Sequence, residues 1–249
     1  ISKILEEKEV TVITTPDGFM DPILPPYRMQ NAKIELEVGQ HVEMEALAQK
    51  LVSLGYERVV QVELPGQFAI RGSILDVFSL DKELPYRIDF WDEDVDMIKQ
   101  FEPESQRAVN RLEEAVIRPA TEYILSRPEK AAGLELLCRD SEKQEKALRK
   151  LMKTEEAHRL KMMTEDLCAR VEAEMADTAL DSYIRYFVPE LVSLLDYFPV
   201  EDTVIFIDEP RRVQEHAESV EKEFRESMLH RLEHGSVLPK QTEVLFSTE

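Results

Sequence analysis

The stretch Gly66–Trp91, which reads GQFAIRGSILDVFSLDKELPYRIDFW, decides the fold because apolar and polar residues alternate through it. Side chains of a β-strand point to opposite faces in turn, so a period of two predicts strands with one buried face. In the last six residues, one face carries Tyr86, Ile88 and Phe90, and the other carries Arg87, Asp89 and Trp91. This pattern predicts a strand that buries its first face and presents the second.

Similar short runs surround this stretch and are separated by turn-forming residues such as Pro65-Gly66. One helix is predicted at Val42–Leu54, with its leucines on one face and Gly55 at its C-terminal cap. The predicted strands are Lys33–Val38, Val59–Glu63, Phe68–Arg71, Ile74–Phe78, Tyr86–Trp91, Val95–Phe101 and Ala115–Arg118. Together they predict a small α+β domain with a mostly antiparallel sheet, spanning residues 28–118.

The flanking segments have a different pattern. The β-branched run Glu9–Thr15 predicts a buried strand, and the proline-rich stretch Asp21–Tyr27 predicts a linker. Residues 126–197 show helical spacing of leucines, and Thr203–Ile207 predicts a second strand before a helix at about 211–232. We therefore expect an α/β domain, residues 1–27 and 119–249, that is interrupted by the small domain.

Composition limits the classes of function. The net charge is −20 with 33% charged residues, so a surface that grips nucleic acid phosphates without sequence preference is not expected. No run of about 18 apolar residues is present, so we expect no membrane span. Cys138 and Cys168 show no metal-binding or redox motif, which favours reduced thiols in a cytoplasmic protein. A first residue other than Met favours a segment of something longer.

The outward face of Tyr86–Trp91 is a candidate binding site for a protein. Trp, Tyr and Arg dominate binding hot spots, and Trp91, the sole tryptophan, shares this face with Arg87. Arg71 stands before Gly72 at a predicted strand break, where another chain could approach closely. The alternatives are that Trp91 packs beneath a loop or helix and that Arg71 is an ordinary surface arginine.

Residues 204–210, VIFIDEP, resemble the strand that holds Mg²⁺ in P-loop ATPases, with Asp208 and Glu209 as the acidic pair. None of the seven glycines begins the phosphate-binding motif G-x-x-x-x-G-K, so the pair is interpreted as a relic. His230 and His234 have a spacing that can bind metal, but the surrounding residues favour a solvated helix end. We expect no catalytic residue, metal or cofactor in this chain.

Several segments together resemble a known family. They are Gly66–Phe78, Pro85–Asp96, Phe101 with Ser105–Arg107, and Ser193–Pro199 running into Ile207–Pro210. These segments are similar to a block shared by UvrB and the transcription-repair coupling factors (Mfd). Pro210-Arg211 after the acidic pair favours the coupling factors, because UvrB ordinarily has Ser-His there.

The resemblance implies an N-terminal UvrB-homology module with a degenerate, helicase-like α/β domain around a UvrA-binding domain. The family's UvrA-contacting positions fall on Arg71, Arg87 and Trp91. The resemblance also implies that UvrA is the partner, and that a C-terminal domain of the longer protein masks the same surface. RNA polymerase and DNA would be bound through domains outside this chain, and ATP and Mg²⁺ would belong to a translocase motor there.

Two other functions stay open on the sequence alone. One is an ATP- and DNA-binding UvrB-like helicase fragment, which the missing phosphate-binding motif and the net charge disfavour. The other is an autoinhibitory module whose surface docks only within its own protein.

Overall fold

The computed structural model describes residues 1–6, 9–173 and 178–247. Its helices are α1 (Ser2–Glu6), α2 (Pro16–Met20), α3 (Pro26–Asn31), α4 (Met44–Ser53), α5 (Arg127–Lys150), α6 (Thr154–Glu172), α7 (Ile184–Phe187) and α8 (Pro210–Glu233). Its strands are β1 (Ile34–Glu37), β2 (Glu57–Arg58), β3 (Gln67–Arg71), β4 (Ile74–Val77), β5 (Tyr86–Trp91), β6 (Asp94–Phe101), β7 (Ala108–Leu112) and β8 (Glu114–Ile117). Short 3₁₀ helices lie at Thr178–Tyr183, Leu194–Tyr197 and Pro239–Glu243.

The chain forms two compact units. The sheet unit consists of Ile1–Ser2 and Tyr27–Ile124, and the helical unit consists of Lys3–Pro26 and Leu125–Glu249. The chain therefore leaves the helical unit at the start of α3, builds all of the sheet unit except its first two residues from one segment, and returns to the helical unit before α5.

The sheet unit contains a six-stranded sheet in the order β2-β3-β4-β5-β6-β7. Each neighbouring pair from β3 to β7 is antiparallel, and only the short β2 runs parallel to β3. A separate antiparallel pair joins β1 to β8. The predicted fold class, mixed α/β content with a mostly antiparallel sheet, is confirmed.

The main core of the sheet unit lies between α4 and one face of the sheet. Leu47 and Leu51 of α4 pack in the same buried cluster as Phe68 and Ile88. The helix ends as predicted at Gly55, whose φ of +86° is a conformation that glycine adopts without steric cost. Burial of this apolar face is what fixes the register of the strands.

A smaller core lies on the opposite face of the sheet. It contains Val62, Ala69, Phe78 and Phe101. Ala69 follows the inward-facing Phe68 in β3 and so belongs to the other face. The predicted strand at Val59–Glu63 is wrong, because only Glu57–Arg58 pairs with β3 and Val62 lies in the loop that covers this second core.

The helical unit is built on an antiparallel pair, α5 and α6. Ser126 begins α5 with a capping box, in which its hydroxyl accepts a hydrogen bond from the Glu129 backbone and the Glu129 carboxylate accepts from the Ser126 backbone. Ser141 of α5 meets Thr164 of α6, with 2.9 Å between the hydroxyl oxygens, so this buried polar pair is satisfied. The helices predicted between residues 126 and 197 are confirmed in α5 and α6.

Both strands predicted in the flanking domain are wrong. Residues 9–15 and 203–207 form no strand, and Pro16–Met20 is the helix α2. Ile13 is 94% exposed and Phe206 is 91% exposed. A β-branched apolar run forms a strand only when it pairs with another strand. Among the described residues of the helical unit, no strand is available for such pairing.

Candidate protein-docking site

The outward face of the sheet unit places Arg87, Asp89 and Trp91 along β5, as the sequence predicted. The antiparallel register sets Asp76 of β4 opposite Arg87 on one side. Lys99 of β6 lies opposite Arg87 on the other side. Residues that are far apart in the sequence thus form one polar strip across three neighbouring strands.

Asp76 is the centre of this strip and is fully buried, at 0% exposure. Its Oδ1 accepts a hydrogen bond from Nε of Arg87 at 2.7 Å, and its Oδ2 accepts from Nη2 of Arg87 at 2.8 Å. Oδ2 also accepts a hydrogen bond from Nη2 of Arg71. The forked contact with Arg87 is the strong, directional form of a carboxylate–guanidinium pair, so Asp76 holds both arginines in place.

Arg87 has further partners on the loop before β7. Its Nη1 donates to the backbone oxygen of Gln106 at 3.1 Å, and its Nη2 donates to Oε1 of Gln106 at 2.9 Å. The guanidinium also stacks on the ring of Phe101, with 4.2 Å from Cζ to the ring centroid. The hydrogen bonds to Asp76 raise the pKa of Arg87 above its ordinary value.

The two arginines therefore differ in what they can offer to a partner. Arg87 has five N–H groups, of which four donate to Asp76 and Gln106, and its side chain is 16% exposed. Arg71 makes one such bond, to Asp76, and its side chain is 42% exposed. The structure brings the predicted residues Arg71 and Arg87 together through a carboxylate, with Arg71 as the accessible member.

Trp91 lies at the end of β5, on the same face as Arg87. It is 79% exposed, so the interpretation that it packs beneath a loop or helix is wrong for the described residues. Asp89 stands between Trp91 and Arg87, and its Oδ2 accepts a hydrogen bond from Nζ of Lys99 at 2.6 Å. Because Lys99 offsets this carboxylate, Asp89 does not leave an unpaired negative charge beside the ring.

The turn that carries Trp91 is braced from outside the sheet. Residues 92 and 93 connect β5 to β6, with Asp92 at a φ of 57°. Nδ1 of His41 lies 3.0 Å from Oδ1 of Asp94, and Nε2 of His41 lies 3.1 Å from Oε2 of Glu93. The hydrogen bond to Asp94 and the nearby carboxylates raise the pKa of His41 above its ordinary value.

The remaining candidates lie outside the sheet unit. Asp208 and Glu209 follow the unpaired residues 203–207 and so do not stand at the end of a strand, where an ATPase holds Mg²⁺. Glu209 instead precedes α8, and its carboxylate accepts a hydrogen bond from Arg212. No group of three or more His, Cys, Asp or Glu side chains within the described ranges could hold a metal ion. In the same ranges, no helix has the length and apolar character needed to cross a bilayer.

Sequence patterns missed four residues that shape this site: Asp76, Lys99, Phe101 and Gln106. Strand alternation places Asp76 on the face opposite to that of Leu75 and Val77, but only the strand register shows that it stands beside Ala69 and opposite Arg87. Gln106 lay in the segment Ser105–Arg107 that resembles the family, but only the structure shows that it accepts hydrogen bonds from Arg87, at a backbone φ of 58°.

Comparison with known proteins identifies the part of the chain that carries this site. A model for the UvrB interaction domain matches residues 34–123. Residues 34–123 are therefore similar to a UvrB interaction domain. The domain includes Arg71, Arg87 and Trp91, together with the residues that hold them.

Curated relatives match the UvrB interaction domain and the segments around it. The chain is 34% identical over 235 residues to the transcription-repair-coupling factor of Bacillus subtilis, covering 94% of this chain and 20% of that protein. It is 29% identical to the transcription-repair-coupling factor of Staphylococcus aureus strain MRSA252, covering 95% of this chain and 20% of that protein. Identity to UvrABC system protein B of Kosmotoga olearia is 28%, covering 84% of this chain and 32% of that protein.

The predicted resemblance to coupling factors and UvrB is confirmed by these matches. The chain spans about a fifth to a third of the length of these relatives.

Proposed function

We propose that this chain is the UvrA-recruiting module of a transcription-repair coupling factor, with no catalytic activity of its own. It would bring UvrA to DNA lesions at stalled RNA polymerase. Homology to the coupling factors and to UvrB supports a role in nucleotide excision repair. The observation that carries the proposal is that Trp91 and Arg71, which buried Asp76 holds in place, are both exposed within the region that matches the UvrB interaction domain.

In this proposal the three predicted residues have different roles. Trp91 supplies an apolar anchor, because a mostly exposed indole loses its contact with water on docking. Arg71 supplies charge-assisted hydrogen bonds to acidic groups of UvrA. Arg87 is mainly a positioning residue, since it holds Asp76 and keeps one N–H group for a partner.

The wider function of the longer protein is part of the same proposal. Other domains would bind RNA polymerase and DNA, and an ATP- and Mg²⁺-dependent translocase motor would act on the stalled complex. A C-terminal domain of that protein would cover the UvrA-binding face at rest, so recruitment would follow a conformational change. An exposed tryptophan beside an arginine is the kind of surface that such a cover would bury.

A titration of UvrA with this chain tests the proposal, comparing the unchanged protein with Arg71→Ala, Arg87→Ala and Trp91→Ala. Truncating an interface anchor costs about 2 kcal/mol, so we expect Trp91→Ala to raise Kd roughly 30-fold. We expect Arg71→Ala to weaken binding by roughly tenfold, since it removes accessible charge-assisted bonds.

Two matched variants of the sheet unit serve as controls. Tyr27→Ala removes another exposed aromatic ring, and Arg58→Ala removes another exposed arginine. Neither lies on the outward face of β5, so both should bind UvrA as the unchanged chain does. Absence of binding by the folded, unchanged chain would contradict recruitment and would favour the autoinhibitory alternative.

A further inference from the structure

Two cysteines meet on the helix pair of the helical unit. Cys138 of α5 and Cys168 of α6 have their Sγ atoms 3.5 Å apart. Ser141 of α5 and Thr164 of α6 meet about one helical turn away, so the two cysteines face each other in the same antiparallel pairing of the helices. Cys138 is exposed and Cys168 is partly buried, so Cys138 is the more accessible of the two residues.

This arrangement suits a disulfide. A bridge needs the sulfurs at about 2.05 Å, so they must approach by roughly 1.5 Å, which side-chain rotation and a small shift of either helix can provide. Buried leucines stand beside both cysteines, Leu137 on α5 and Leu167 on α6, and they hold the helices together on either side of the pair. The thiols are therefore kept as neighbours by the core of the helix pair.

We propose that Cys138 and Cys168 form a reversible disulfide under peroxide, and that this bridge clamps α5 to α6. Cys138 reacts first because it is exposed. Its thiolate attacks one oxygen of hydrogen peroxide, the O–O bond breaks, and a sulfenic acid forms while the second oxygen leaves as water. Sγ of Cys168 then attacks Sγ of Cys138 and displaces the hydroxyl group, which leaves with the Cys168 proton as a second water.

The balance of this reaction is complete. The two thiols lose two hydrogen atoms and become one disulfide, and one hydrogen peroxide is reduced to two waters.

The order in which the two thiols react agrees with their protonation. Burial and the hydrogen bond with Cys138 raise the pKa of Cys168 to about 12, so Cys168 stays a thiol at neutral pH and is a poor first nucleophile.

The test is mild oxidation of the 249-residue chain with hydrogen peroxide, followed by alkylation of free thiols and peptide mapping without reductant. We expect a linked peptide containing both cysteines, two hydrogens lighter than the separate peptides, which dithiothreitol reverses. We expect Cys168→Ser to stop at a sulfenic acid on Cys138 that dimedone captures, and Cys138→Ser to form no internal bridge. Full alkylation of both thiols after oxidation, or covalent dimers in place of the internal link, would overturn the proposal.

Thermal unfolding tests the clamp separately from the chemistry. The bridge closes a loop of 30 residues, so the oxidised chain should melt roughly 5 °C higher than the reduced chain. The double variant Cys138→Ser, Cys168→Ser should show no such rise after the same treatment. An unchanged melting temperature in a chain that mapping shows to be bridged would refute the clamp.

Discussion

At the scale of single residues, the candidate site depends on a carboxylate that no partner would touch. Asp76 is buried beneath Arg71 and Arg87 and forms an ion pair with each of them. Strand alternation put Arg87 on the outward face of its strand, but the position of Asp76 opposite Arg87 follows from the register of β4 with β5. A register is set by packing over the whole sheet, so this contact could not be predicted from the residues alone.

Replacing Asp76 should damage both stability and docking. Asp76→Asn leaves two guanidinium groups without their buried counter-charge. Removing one partner of a buried ion pair lowers the free energy of unfolding by about 3 kcal/mol. Chemical denaturation should measure that loss, and the UvrA titration should show weaker binding under conditions where the variant stays folded. Asp96→Asn, an exposed carboxylate on neighbouring β6, is the matched control and should change neither. A fully stable Asp76→Asn variant would contradict the organising role of this carboxylate.

His41 should titrate above an ordinary histidine. Its pKa is raised mainly by the hydrogen bond to Asp94, so Asp94→Asn should lower it, and NMR titration of the His41 ring in both proteins measures the difference. A raised folded-state pKa means that this contact stabilises the fold fully below the unfolded pKa. The contribution disappears as pH rises through the folded pKa. An equal His41 pKa in the two proteins would disprove the assignment.

At the scale of secondary structure elements, the sequence predicted most of the sheet and both long helices that form the pair α5 and α6. Alternation and turn residues are local signals, and they suffice where a strand has one buried face. The strand β7 was missed because its residues, AVNRL, lie on the edge of the sheet and are mostly exposed, so they carry no alternation. The strands predicted at residues 9–15 and 203–207 were wrong for a different reason. An apolar run favours a strand, but it does not indicate whether a neighbouring strand is present to pair with it.

The contact between α5 and α7 gives a test at this scale. A Cβ atom on Gly133 of α5 would lie 2.1 Å from Cδ1 of Phe187 in α7, too close for any packed arrangement. Gly133→Ala should therefore destabilise the helical unit by about 2 kcal/mol, despite the better helix propensity of alanine. Thermal unfolding measures the loss, with exposed Ala132→Leu as a control that adds volume without a clash. A Gly133→Ala variant that is more stable than the unchanged chain would contradict the close packing.

At the scale of the whole molecule, the sheet unit supplies its own cores. All the buried residues of both sheet-unit clusters lie between Ile34 and Ile117, and the partly buried residues packed against them lie between Ala32 and Ile124. The matched family region, residues 34–123, falls within the same segment. The division of the chain thus agrees with where its apolar residues are buried, since a domain is a segment that supplies its own core.

A fragment of residues 27–124 should therefore fold by itself and carry the docking site. We expect its NMR spectrum to be dispersed, as that of a folded sheet protein is, and its Kd for UvrA to lie within a few-fold of the value for the whole chain. The complementary Trp91→Ala fragment should fold equally well and lose binding. An unfolded fragment would show that the sheet unit needs the helical unit, and a folded fragment without affinity would place the docking site elsewhere.

The position of Trp91 also makes the protein its own fluorescent probe. It is the sole tryptophan of the chain, and its ring is mostly in water. Indole emission is sensitive to polarity, so unfolding should change the spectrum little, whereas a partner that covers the ring should shift emission to shorter wavelength. The emission of this single indole will thus report on one end of one strand, and the arrival or departure of a partner at that end could be followed directly.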